Sequence, residues 1–231
     1  MRPTVIAHRG ACRRAPENTV AAFELARELG SDWVEFDVRR TADGALAVHH
    51  DAALADGRLI VDLAASDLPP DVPGLGAALD ACRGMGVNIE IKNAPVDADF
   101  DPDRTLAGDV VALLADRGED QPVLVSSFDL ATVDRVHALS PTVLTAWLTA
   151  SLDEPAAAVA RAAAGGHVAL HPFVLTVDQA LVDLAHGAGL AVNTWTVDDP
   201  DLMLALAEMG VDGIVTNVPD VAVEVLGGLK A

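Results

Sequence analysis

Short apolar runs alternate along this chain with stretches in which apolar residues recur every three to four positions. The runs at 4–8, 33–38, 87–92, 123–127, 142–148, 167–171, 191–196 and 213–217 read as strands, eight in all. Between them lie helical periods: Val20, Phe23, Ala26 and Leu29; Leu106, Val110 and Leu113; the alanine-rich stretch after Pro155; Leu181 to Ala188; and Leu202 to Met209. Gly30, Gly118 and Gly210 stand where three of these segments stop, as expected just past a helix end. Strands joined by helical crossovers predict a parallel sheet. Eight of them in 231 residues predict a closed α/β TIM (β/α)8 barrel rather than an open doubly wound sheet. No Gly-x-Gly-x-x-Gly turn follows a strand, which counts against dinucleotide binding.

One segment breaks the alternation. Thr41-Ala42-Asp43-Gly44 followed by Ala45 to His49 reads as a hairpin turn and a returning ninth strand. Residues 52–73, with Pro69, Pro70 and Pro73, read as a small loop insertion lying over one mouth of the barrel, with one short helix ahead of the helix at Leu75 to Arg83. The expectation is a single domain over residues 1–231.

Charge narrows the range of partners. Fifteen Lys and Arg against 35 Asp and Glu leave a formal charge of −20, which repels nucleic acid and anionic membrane at long range. An anionic substrate must then be small and met by a few local cations. Two cysteines, Cys12 and Cys82, are too few for a disulfide framework and read as buried thiols. Met1-Arg2-Pro3 runs straight into Thr4–His8 without an apolar leader, and no later run approaches the roughly 18 apolar residues of a membrane span, so a soluble, cytoplasmic protein is expected, monomer or homodimer.

The strands carry the chemistry. Side chains alternate along Trp33-Val34-Glu35-Phe36-Asp37-Val38, so Val34, Phe36 and Val38 share one face and the two carboxylates share the other. Val87-Asn88-Ile89-Glu90-Ile91-Lys92 repeats the design, turning Asn88, Glu90 and Lys92 into the barrel. Three carboxylates a few ångströms apart repel by about 4 kcal/mol per close pair at an effective dielectric near 20, and unless some protonate they need a cation. All-oxygen ligation without Cys favours a hard divalent ion, Mg²⁺ or Ca²⁺, with Mn²⁺ also compatible. Salt bridges to arginine are the plainer alternative for an isolated Glu-x-Asp. The paired strands and Lys92, one of only two lysines in the chain, favour the ion.

His8-Arg9-Gly10 ends the first strand, where barrel enzymes place catalytic groups. Arg9 offers a planar fork for phosphate oxygens, and Gly10 lets backbone approach a ligand closely. The hairpin returns at His49-His50-Asp51, so two imidazoles flank one acidic rim and suit a general acid and general base. His137, His167 and His186 read as hydrogen-bonded structural residues, whereas His171 ends the sixth strand and is placed to line the pocket. Asn18 or Thr19 caps the first helix. Trp195 either fills core or walls the pocket. Ser126-Ser127-Phe128-Asp129 lacks the Gly-x-Ser-x-Gly elbow of a serine hydrolase. A Schiff-base role for Lys92 is disfavoured because neighbouring acids keep it protonated.

His8-Arg9-Gly10, Pro16-Glu17-Asn18-Thr19, Glu35-x-Asp37-Val38, Thr41-x-Asp43-Gly44, His50-Asp51, Glu90-Ile91-Lys92, Ser127-Phe128-Asp129, Trp195-Thr196-Val197 and Asp212-Gly213-Ile214-x-Thr216-Asn217-x-Pro219 follow in this order. The set resembles the glycerophosphodiester phosphodiesterase family over essentially the whole chain. The resemblance implies a barrel of the phosphatidylinositol-phospholipase type that hydrolyses glycerophosphodiesters to sn-glycerol 3-phosphate and an alcohol with a bound divalent metal. It implies Glu35, Asp37 and Glu90 as metal ligands, His8 and His50 as acid and base, and Arg9 and Lys92 at the phosphate. Glu17 and Asn18 are implied as supporting residues, Trp195 lies along the glycerol side, and His49 is a neighbour only. Ala53 to Arg58 leads into a reduced insertion, and Pro73-Gly74-Leu75-Gly76-Ala77 replaces the usual Pro-Thr-Leu-Glu-Glu. Those departures bear on the leaving alcohol rather than the reaction. The alternatives are a lysophospholipid or sphingolipid head-group phosphodiesterase and a non-catalytic phosphate-binding barrel.

Overall fold

In strand β2 (Trp33–Arg40) every second side chain meets helices and every second one meets the barrel axis, and this two-residue period organises the molecule. Val34, Phe36 and Val38 are fully buried in a core shared with Phe23, Ala26, Leu75 and Leu79 of the covering helices. Phe36 stacks at a tilt on Phe23, ring centres 5.3 Å apart, and burying a side chain of that size contributes about 1.5–3 kcal/mol. The structure is a computed structural model that describes residues 2–118 and 121–229.

The remaining barrel strands are β1 (Thr4–His8), β4 (Gly86–Ile91), β5 (Val123–Ser127), β6 (Leu144–Thr149), β7 (Ala169–Pro172), β8 (Ala191–Thr194) and β9 (Gly213–Thr216). All pair in parallel in the order β1-β9-β8-β7-β6-β5-β4-β2, and β1 pairs with β2 to close the ring. The predicted eight-stranded barrel is therefore present, each strand within two residues of its expected limits. Helices α1 (Val20–Glu28), α2 (Leu75–Ala81), α3 (Thr105–Arg117), α4 (Leu130–Leu139), α5 (Pro155–Ala164), α6 (Gln179–Gly187), α7 (Pro200–Met209) and α8 (Pro219–Gly227) cover it. Proline opens α5, α7 and α8, where its missing N–H loses nothing. The Thr19 hydroxyl caps α1 by accepting from the Ala22 amide.

The hairpin strand β3 (Leu46–Val48) runs antiparallel to the end of β2, pairing Val38 with Val48, and lies outside the barrel. The insertion differs from expectation. It holds two single 3-10 turns, Ile60–Asp62 and Ala65–Asp67, rather than one helix, because Ile60 and Leu54 bury against Ala47 in a core too small to support longer elements. It walls a groove beside His49 and His50 and supplies no residue to the barrel's own cavity. Cys82 is buried and its thiol is pushed up to about 12 by burial. Cys12, expected to be buried, is only half-buried and donates from Sγ to Asn217 Oδ1 at 3.1 Å.

Candidate active site

Strand register assembles the site at the C-terminal mouth of the barrel. His8 pairs with Glu35 across β1 and β2, and Asp37 pairs with Glu90 across β2 and β4, so all four side chains turn to the axis from adjacent staves. Glu35, Asp37 and Glu90 are buried, and each offers a carboxylate oxygen within 4.8 Å of the others. His8, Arg9, Glu35, His50, Glu90, Lys92 and Trp195 line one cavity of about 200 Å³, together with Asn88, Phe128, Leu148 and His171. Asp37, 1% exposed, lies beneath that lining, within reach of the same ligand position.

Two tight turns hold the acidic centre and Arg9. Arg9 adopts φ 54° and Gly10 φ 80°, a left-handed pair that aims the Arg9 amide at Glu35 Oε2, 3.1 Å away. A Cβ on Gly10 would press on the Ala22 backbone at 2.7 Å, so only glycine allows α1 to dock there. Asn18, also at positive φ, donates to Asp37 Oδ2 at 2.8 Å and accepts from the Asp37 amide. Glu17 sits at the outer edge and accepts from Arg9 Nη1 at 3.0 Å. The two residues therefore stand behind Asp37 and Arg9, outside the cavity itself.

The electrostatics are those of a crowded acidic centre. Burial, then the charges of Asp37 and Glu90, raise the Glu35 carboxyl well above its ordinary range. Burial likewise pushes Glu90 up to about 7, against the opposing pull of Lys92, whose ammonium lies 2.7 Å from Glu90 Oε1. Asp37 is lower than usual: burial pushes it up, but Lys92 at 3.5 Å, Arg9 at 3.3 Å, His50 and the Asn18 amide outweigh that. Burial lowers both His8 and His50, so each ring favours its neutral form. Glu35 Oε1 is buried without a hydrogen-bond partner. That orphaned oxygen, within an all-carboxylate donor set in which burial and neighbouring acids raise Glu35 and Glu90, fits a hard divalent cation.

The second imidazole is held by the hairpin. His50 Nδ1 meets Asp51 Oδ1 at 2.7 Å, and the buried Arg39 donates to the His50 carbonyl from Nε and Nη2 while its Nη1 binds Asp99 at 2.6 Å. His49 turns to the Asp51 carbonyl instead. The pocket's apolar wall is Trp195, whose indole donates to the His171 carbonyl and whose ring meets the edge of Phe128 at 5.4 Å. Trp195 is thus wall rather than core. His171 is buried, accepts at Nε2 from Asn193 Nδ2, and is driven down to about 3 by burial. His167 and His186 are satisfied by Asp134 and Asp212 and stay off the cavity lining. Sequence reasoning missed Arg39, Phe128 and Asn88 as site neighbours. Phe128 stood in the quoted motif, Asn88 was read only as barrel-facing, and Arg39 carried no signal.

A closed parallel barrel whose C-terminal mouth gathers acids, imidazoles and cations is the architecture of the TIM-barrel phosphodiesterases. A phosphodiesterase from Oleispira antarctica, solved in complex with the product sn-glycerol-3-phosphate, superposes with a TM-score of 0.89 at 28% identity, covering 98% of this chain and 97% of that one. The model of the glycerophosphoryl diester phosphodiesterase family matches residues 8–221, and the chain belongs to that family. Among curated relatives, the glycerophosphodiester phosphodiesterase of Caldanaerobacter subterraneus is 29% identical over 98% of both chains. A Mycobacterium tuberculosis protein named "Probable glycerophosphodiester phosphodiesterase 2" is 32% identical over 96% of this chain and 89% of its own. Among the described residues no helix is long and apolar enough to cross a membrane.

Proposed function

We propose that this chain is one barrel domain that hydrolyses glycerophosphodiesters to sn-glycerol 3-phosphate and an alcohol by metal-dependent, histidine acid–base catalysis, as a cytoplasmic enzyme. The observation that carries the reading is the convergence of His8, His50, Arg9, Lys92 and the carboxylates of Glu35 and Glu90 on one cavity in a member of this family. Glu35, Asp37 and Glu90 would hold Mg²⁺, Ca²⁺ or Mn²⁺, which when bound polarises a phosphoryl oxygen and offsets its negative charge. Arg9 and Lys92 meet the remaining phosphate oxygens, where charge grows in the transition state. Arg9 reaches the substrate by exchanging its contact with Glu17, a half-exposed ion pair worth about 0–1 kcal/mol. Trp195 and Phe128 face the glycerol.

One imidazole accepts a proton from the attacking oxygen, water or the substrate's own glycerol hydroxyl. The phosphorus–oxygen bond to the alcohol breaks, and the other imidazole returns a proton to the departing alkoxide. When the hydroxyl attacks, water opens the resulting cyclic phosphate in a second turn of the same groups.

The test is glycerol 3-phosphate release from glycerophosphocholine and related diesters, first in chelator and then with Mg²⁺, Ca²⁺ or Mn²⁺ restored. Release that depends on the ion is expected. Turnover surviving thorough chelation overturns the metal assignment, and lysophosphatidate formed from lysophospholipid in place of glycerol 3-phosphate overturns the substrate class.

A further inference from the structure

His8 Nδ1 lies 2.7 Å from Asn217 Oδ1, and Asn217, just past β9, belongs to none of the roles assigned so far. Its amide is oriented by a second residue. Asp198, between β8 and α7, accepts from Asn217 Nδ2 through Oδ2 at 2.8 Å, and through Oδ1 from the Asn217 backbone amide at 2.8 Å and the Thr216 hydroxyl at 3.1 Å. A carboxylate only accepts, so the NH₂ of Asn217 must face Asp198 and its oxygen must face His8. In that orientation the same oxygen also accepts from the Cys12 thiol at 3.1 Å. An amide oxygen in turn only accepts. His8 therefore carries its hydrogen on Nδ1 and presents the Nε2 lone pair to the cavity, 3.9 Å from Glu35 Oε2.

The geometry points to Asp198 and Asn217 as positioning residues: a relay, carboxylate to amide to imidazole, that fixes the tautomer and ring plane of His8 so that Nε2 faces the substrate. Its catalytic meaning rests on the reading above, whereas the position of the proton does not. A neutral amide in the middle of the relay holds the ring without placing a further carboxylate beside it in an already acidic centre.

Replacing one oxygen by NH₂ should reverse the relay. In Asp198→Asn the Oδ1 position stays an acceptor, because the Asn217 N–H and the Thr216 hydroxyl both donate to it. The new amide nitrogen then faces Asn217, whose side chain turns its oxygen toward position 198 and its NH₂ toward His8. Nδ1 becomes the acceptor and the hydrogen moves to Nε2. Adding Asn217→Asp restores an oxygen opposite His8, now a carboxylate that accepts from both Nδ1 and the amide at 198.

The experiment records imidazole ¹⁵N spectra of the full chain loaded with divalent ion, at a pH where the ring is neutral, with His8→Gln to assign the signal. The wild type is expected to show the hydrogen on Nδ1, Asp198→Asn on Nε2, and the double variant on Nδ1 again. With glycerophosphocholine, kcat falls at least about tenfold in Asp198→Asn with KM nearly unchanged, and the double variant recovers most of it. Thr216→Val, which removes a hydrogen bond to Asp198 without turning Asn217, keeps both the tautomer and kcat. A wild-type spectrum with the hydrogen on Nε2 overturns the proposal, whether or not any variant folds. So does loss of turnover in Asp198→Asn with the tautomer unmoved, an inverted tautomer with full turnover, or a double variant that fails to restore Nδ1. Absence of diesterase activity alongside the expected spectra would instead count against the functional reading alone.

Discussion

The two ends of the barrel interior follow opposite rules. At the N-terminal end Trp33 plugs the axis against Leu124, Ala146, Ala169 and Ala191, a small apolar layer in which the indole is matched by alanines. At the C-terminal end the barrel strands turn inward His8, Glu35, Asp37, Glu90 and His171, and leave Glu35 Oε1, Asn88 Oδ1 and His171 Nδ1 buried without partners. The distance along β2 from plug to acids is a single pleat repeat, Trp33 to Glu35. The lower end is an apolar plug, so changes there act on stability. The upper end is unsatisfied and charged, an arrangement suited to a ligand, and changes there are expected to act on chemistry.

The largest expected effect lies at the upper end. His50→Ala should lower turnover of a glycerophosphodiester by about 10²–10⁴-fold, the usual contribution of a general acid or base. The melting temperature should barely move, because the His50 side chain is 33% exposed and its backbone is held by Arg39 rather than by the ring. Steady-state kinetics beside a thermal melt measure both. Turnover like that of wild type would remove His50 from the mechanism.

Gly86→Ala should do the reverse. A Cβ at Gly86 would overlap the half-buried Trp33 indole, and since the ring must then shift off the apolar layer it packs on, the substitution should destabilise by about 1–3 kcal/mol. The kcat of the protein that remains folded at low temperature should be unchanged. Lost kcat with an unchanged denaturation midpoint would show that the two ends are not separable.

The same contrast explains what was legible in the sequence. Period-two alternation disclosed the barrel strands and which carboxylates face inward, because a strand has only two faces and the outer one must be apolar to meet helices. Glu35, Asp37, Glu90, His8 and Lys92 were therefore placed by arithmetic on position. The insertion was less readable, since its two 3-10 turns answer to Ile60 and Leu54 packing on Ala47, a tertiary contact without a period. Glu17 and Asn18 could be located but not resolved: that Asn18 grips Asp37 while Glu17 grips Arg9 depends on turns at positive φ. Arg39 was invisible because it lies on the alternation's inward face yet leaves it to bind the His50 carbonyl and Asp99.

The smallest effect tests why the upper end is unsatisfied. Glu35 titrates above its ordinary range in the folded protein, so over that interval the folded state holds a proton that the unfolded chain has released. Stability contributed by this group is therefore greatest at low pH and declines as pH rises past the ordinary carboxylate value near 4.5. The histidines act with the opposite sign: burial lowers His171 to about 3, so its contribution is complete above about 6.5 and fades as pH falls. Comparing Glu35→Gln with wild type cancels the histidine contribution. Gln keeps an acceptor for the Arg9 amide and places NH₂ where Oε1 had no partner, beside the other two carboxylates. In chelator the variant should match wild type near pH 5 and exceed it by on the order of 1 kcal/mol at pH 8, read as denaturation midpoints. With Mg²⁺ or Ca²⁺ present the order should invert at pH 8, because the ion stabilises the three-carboxylate site and gains little from the variant. A variant no more stable than wild type in chelator at pH 8 would mean that the acidic centre is already satisfied by Arg9 and Lys92, and the case for a divalent ion there would fall with it.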